Sequence, residues 1–108
     1  MTRPVRLTAD TRLILDCLLS ADLTDRQWGR RICERTGLGP GATYPILERL
    51  EEAGWIVGAW ERAELDDKAR RRFYTISGVG RQAYATAGSR KRRWRLSLGW
   101  AKRARGTV

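Results

Sequence analysis

Apolar residues in the first half of the chain recur at helical spacing between short polar breaks. Ile14, Cys17 and Leu18 share one face of a segment that Thr8 or Thr11 can cap, which predicts a first helix ending near Ser20. After a break at Asp22-Leu23, Thr24-Asp25-Arg26-Gln27 has the Thr-x-x-Gln form of a capping box, in which each side chain satisfies the other residue's free backbone N–H. A second helix is expected from there to about Thr36, with Trp28, Ile32 and Cys33 on one face and Gly37 suited to a left-handed C-cap. Gly39 can cap a third helix, and Pro40 fits its first position, where a missing N–H costs nothing. Ile46, Leu47, Leu50 and Ala53 form the buried stripe of that helix, and Gly54 ends it.

The period then changes. Trp55 to Trp60 and Arg71 to Ile76 are rich in aromatic and β-branched residues and flank the polar turn Asp66-Asp67-Lys68, which predicts a β-hairpin. Ser77 starts a fourth helix, with Gly78 and Gly80 loosening its first turn. Tyr84, Ala87, Trp94, Leu98 and Ala101 follow at spacings of 3, 7, 4 and 3, a heptad seam with Lys91 in one core slot and Gly88 and Gly99 as interruptions. The seam reads as facing a second copy of the chain; packing back onto the first helix is the alternative. The expected fold is mainly α with a small β-hairpin. Residues 1–78 form a winged helix-turn-helix domain whose first seven residues read as an arm, and residues 79–108 form a basic dimerisation helix and tail. Trp28, Trp55, Trp60 and both cysteines are expected in the core.

Charge sharpens this division. Residues 1–80 hold 13 basic and 12 acidic residues, whereas residues 81–108 hold nine basic and none acidic. The last quarter therefore suits a polyanion, either nucleic acid or an acidic membrane face. Of the 22 basic residues 19 are arginine, whose planar fork matches phosphate and guanine, although a GC-rich coding sequence produces the same bias.

Absences narrow the chemistry. The chain has no histidine, which removes imidazole acid–base catalysis and most zinc sites. Its two cysteines form no CxxC, so no metal, cofactor or enzymatic activity is expected. The longest apolar run is three residues and no apolar stretch follows Arg3 and Arg6, so a membrane span and a secretory leader are not expected and the cytoplasm is the expected compartment.

The segment from Gly41 to Ile56, Gly-Ala-Thr-Tyr-Pro-Ile-Leu-Glu-Arg-Leu-Glu-Glu-Ala-Gly-Trp-Ile, resembles the signature of PadR-type transcriptional regulators. Arg71 to Gly80 is similar to that family's basic-aromatic strand and the Thr-x-x-Gly that opens its next helix, and Trp28-Gly29 stands where the family has an aromatic-glycine pair. The likeness covers about residues 8–85. It implies a dimeric bacterial repressor with a winged helix and a C-terminal dimerisation helix.

The candidate DNA-binding residues are Arg26, Gln27, Gly41, Thr43, Tyr44, Arg49, Lys68, Arg70 and Arg71. Gly41 lets a helix N-terminus approach phosphate, and Thr43 and Tyr44 follow it within reach of phosphates or base edges. Tyr44 has a packed aromatic role as its alternative, and the resemblance implies the DNA-facing one. Arg49 suits bidentate guanine readout, against an ion pair with Glu48 or Glu52. Lys68, Arg70 and Arg71 would ride on the wing, or form a solvated loop cluster; Arg26 and Gln27 could meet a phosphate at the start of the second helix. Tyr84, Ala87, Trp94 and Leu98 are the candidate dimerisation residues, and Trp94 with Trp100 could line a pocket for an aromatic small-molecule effector. The partners expected are thus double-stranded DNA and a second copy of the chain. Two alternatives stay open: a non-specific architectural nucleic-acid-binding protein, and a membrane-surface or protein-interaction module built on the basic helix.

Overall fold

The computed structural model of the chain describes residues 5–22, 24–61 and 71–88. Helix α1 spans Ala9–Ser20, and its N-cap is Thr8, whose side-chain oxygen accepts from the Thr11 N–H at 3.2 Å. Strand β1 is the short Gln27–Trp28, helix α2 is Gly29–Thr36 and helix α3 is Pro40–Glu52. Strands β2, Ile56–Trp60, and β3, Arg72–Ile76, follow, and residues 78–88 are helical and form α4.

Local chemistry explains the helix ends. Gly37 adopts φ 78°, and its N–H bonds to the Cys33 carbonyl. At the end of α3, Trp55 N–H reaches the Leu50 carbonyl and Gly54 N–H the Glu51 carbonyl, with Gly54 at φ 78°. This double return is the Schellman arrangement, which only a left-handed residue closes without strain.

The start of α2 differs from the expected capping box. The N-cap of α2 is Trp28, which makes no side-chain cap bond; Asp22 closes the turn before it, its Oδ1 accepting from the Thr24 and Asp25 N–H groups at 2.8 and 2.9 Å. Gln27 and Trp28 instead pair antiparallel with Tyr74 and Phe73, so the sheet has three strands in the order β1-β3-β2 rather than two. Pairing with β3 satisfies backbone groups on both strands and covers an edge that a bare hairpin would leave open.

One core joins the first three helices and two strands: Ile14, Leu15 and Leu18 of α1, Ile32 of α2, Leu47 and Leu50 of α3, Ile56 of β2, and Tyr74 and Ile76 of β3. Val5 and Leu7 pack against it, so the described end of the expected arm belongs to the domain. Trp55 also packs there, but Trp60 is 60% exposed and lies outside the core, its ring 5.3 Å from the Arg72 guanidinium. Cys17 and Cys33 are free and half-buried; burial pushes the Cys17 thiol above its ordinary pKa.

Helix α4 is fastened to the domain rather than standing clear of it. Ser77 Oγ donates to the Gly54 carbonyl at 2.6 Å and accepts from the Gly80 N–H at 3.0 Å, capping the helix. Gly80 does not merely loosen the first turn: a Cβ there would overlap the Trp55 carbonyl, so its absence is what lets α4 reach the end of α3. No helix among the described residues is long and apolar enough to cross a membrane.

Candidate nucleic-acid interface

Thr43, Leu47 and Leu50 face the core from α3. Steps of about 100° per residue put Gly41, Pro45, Glu48 and Glu52 on the opposite line, and all four are exposed. Pro45 has no N–H to offer the Gly41 carbonyl, so this line carries small residues and a free acceptor near its start and two carboxylates further on.

The flanks of α3 are occupied differently. On one side Tyr44, 48% exposed, lies over Gly29 of α2; a Cβ at Gly29 would collide with the phenol ring and hydroxyl. Further along that side Glu51 Oε2 accepts from Arg72 Nη2 at 2.7 Å, which holds the arginine's pKa above its usual value. Gly58 leaves room for this pair, since a Cβ there would strike both Glu51 and Arg72. On the other side Ala42, Ile46, Arg49 and Ala53 line a groove with Val5, Arg6 and Thr8, which Pro45, Glu48 and Glu52 of the open line also border. Arg49 is exposed, and among the described residues it forms no ion pair with Glu48 or Glu52.

Two expected contact residues turn inward. Thr43 is 0% exposed, because helical phase places it one turn before Leu47 on the buried stripe; its Oγ1 has no hydrogen-bond partner. Gln27 is 2% exposed, since its strand position points it at the core; its amide donates to the Asp25 carbonyl at 2.7 Å, and Oε1 accepts from Cys17 Sγ at 3.6 Å. Neither side chain reaches a ligand on the surface.

Arg26 and Arg71 are exposed but sit on the outer face of the sheet. Trp28 and Phe73 meet there edge to face with centroids 5.9 Å apart. The Arg26 guanidinium lies 3.9 Å above the Phe73 ring, and Arg71 and Arg31 lie 4.6 and 5.2 Å from the Trp28 ring. Such contacts hold a guanidinium by its flat face and leave the N–H edges of the exposed Arg26 and Arg71 free to meet solvent, whereas Arg31 donates to Asp25. The spacing Arg26/Trp28 and Arg71/Phe73, two residues apart on paired strands, was the available signal for this cluster. Arg31 had no such signal, because only the fold brings it over Trp28.

Tyr84 faces its own chain. It packs against the core, and its hydroxyl donates to Asp16 Oδ1 on α1 at 2.6 Å, so this seam position is filled as the alternative reading had it. Ala87 is half-buried on the same helix. Lys68, Arg70, Trp94 and Leu98 lie outside the described residues.

Three helices, an exposed third-helix ridge and an antiparallel sheet make this a winged helix-turn-helix protein, the architecture of DNA-binding regulators. The transcriptional regulator PadR-like family matches residues 23–86, more than half of the chain, and the protein belongs to that family. It is accordingly a DNA-binding transcription regulator. No curated protein matches the chain. Among solved structures it is similar to a PadR family transcription regulator from Clostridium difficile, at 20% identity and TM-score 0.61 over 92% of this chain and 100% of that one. A PadR family regulator from Eggerthella lenta aligns at 17% identity and TM-score 0.60 over 91% and 87%. A zinc-responsive MarR family member from Lactococcus lactis aligns at 21% identity and TM-score 0.56, over 90% of this chain and 64% of its own.

Proposed function

We propose that the protein is a homodimeric repressor that reads a two-fold operator with α3. The observation that carries this is the outward side of α3, where Gly41 on the open line and Tyr44 and Arg49 on its two flanks are exposed. Gly41 lets the helix N-terminus approach phosphate, Arg49 reads a base edge, and Tyr44 is braced over Gly29 to meet the backbone or a base. Arg26 and Arg71 present guanidinium edges from the sheet, and Lys68 and Arg70 extend the same charge along the wing. The nine basic residues of 81–108 add sequence-independent affinity. Ala87, Trp94 and Leu98 supply the dimer seam, and Trp94 with Trp100 lines a pocket for an aromatic effector. A dimer seated on an operator in the cytoplasm represses by excluding other proteins from that stretch of duplex.

Selection of bound sequences from random duplex DNA, with sedimentation of the free protein, tests this. The expected outcome is a dimer and a palindrome whose half-sites lie roughly 10 bp apart. Arg49→Ala and Tyr44→Ala should each weaken operator binding by about 1–3 kcal/mol and leave binding to random duplex nearly unchanged. Equal losses on both DNAs, or a monomer that binds one half-site tightly, would overturn it.

A further inference from the structure

The open line of α3 carries Glu48 and Glu52 behind Gly41 and Pro45. Among the described residues neither carboxylate forms an ion pair, although Arg49 is adjacent in sequence and both glutamates border the groove that Arg49 and Arg6 line. A bare carboxylate on a face that docks onto a polyanion is repelled by phosphates and loses hydration on contact. It gains in exchange only where a hydrogen-bond donor meets it, since an ionised carboxylate accepts and cannot donate. The donors in the major groove are the cytosine N4 amine and the adenine N6 amine, and the adenine amine is flanked by the N7 acceptor, which repels a carboxylate. Cytosine is therefore the base that a glutamate on this ridge accommodates.

Glu48 is the better placed of the two. Gly41 and Pro45 on the turns before it have no long side chain to hold the helix off the groove floor, whereas Glu52 is the last residue of α3. We infer that Glu48 selects a cytosine in each half-site by accepting a hydrogen bond from its N4 amine. This rests on the DNA-reading role of α3 proposed above. It also reverses the usual sign of a contact mutation: neutralising Glu48 strengthens binding to arbitrary duplex while it erases one base preference.

The test selects bound duplexes from a random pool with wild-type protein, Glu48→Gln and Glu52→Gln at one salt concentration. Both side chains are exposed, and far-UV circular dichroism checks that the variants are folded. Wild type should yield a C·G pair at one position of each half-site. Glu48→Gln should lose that preference, by roughly 5–150-fold, and shift toward adenine, whose N7–N6 edge an amide matches. Glu52→Gln should keep the C·G pair and bind arbitrary duplex more tightly. A folded Glu48→Gln protein that retains the C·G pair, or selects nothing, overturns the inference and leaves the DNA-binding role standing. A wild-type protein that selects no sequence removes both.

Discussion

Helix α2 carries Arg30, Arg31, Glu34 and Arg35, and helix α3 carries Glu48, Arg49, Glu51 and Glu52. In α2 every one of these charges has a partner. Arg30 lies 3.6 Å from Glu34 one turn on, and Arg31 and Arg35 each take one oxygen of Asp25. In α3, among the described residues, only Glu51 is paired, and its partner Arg72 belongs to the sheet. A count of basic residues would pick α2 as the surface that meets a polyanion, with three arginines to one. Pairing gives the opposite answer: the charges of α2 largely cancel within the fold, and those of α3 remain available to a ligand.

The contrast can be broken most forcefully at Leu50. Its side chain is fully buried between α1, α3 and the sheet, and Leu50→Ala should cost about 2–5 kcal/mol in urea denaturation. A smaller loss would mean that α3 is held by something other than its inner stripe. Next is Tyr84→Phe, which removes the bond to Asp16 and should cost about 1 kcal/mol. Burial, with the donated bond to Asp16, pushes the Tyr84 phenol up from 10.0 to about 12. A folded pKa above the unfolded one means that the contact stabilises fully below pH 10 and is lost as pH rises toward 12. The stability difference between wild type and Tyr84→Phe should therefore vanish across that interval in an alkaline titration.

Asp25→Ala tests the pairing in α2 directly. The ion pairs are partly exposed, so the loss should be no more than about 1 kcal/mol. Releasing Arg31 and Arg35 should at the same time raise affinity for random duplex at low salt; unchanged affinity would show that these arginines point away from DNA. Arg49→Ala should alter stability least, by under about 0.5 kcal/mol in the same denaturation experiment, since it is exposed and forms no ion pair among the described residues. A larger drop would place Arg49 in an ion pair and remove it from the reading surface.

Much of the fold was legible because it rests on local demands. Thr8, Gly37, Pro40 and Gly54 each satisfy or release backbone groups within a few residues, and each does in the structure what its residue type suggests. The start of α2 was not legible. Thr24 to Gln27 satisfies a capping pattern, but β3, some 45 residues later, offers Gln27 and Trp28 a strand partner. Thr43 was misjudged on a finer point: it follows Gly41 at the exposed end of the helix, yet its phase matches Leu47 rather than Tyr44.

By itself the sequence determined the helical stripes, the caps of α1 and α3, the glycine that ends α2, the two hairpin segments and the family, all of which depend on spacing along the chain. The tertiary structure alone decided that Gly29 makes room for Tyr44, that Gly80 makes room for the Trp55 carbonyl, and that Arg31 and Arg35 share Asp25. The physical reason is the same in each case. A close approach or an ion pair depends on two segments distant in sequence meeting at a few ångströms, and no local spacing records that meeting.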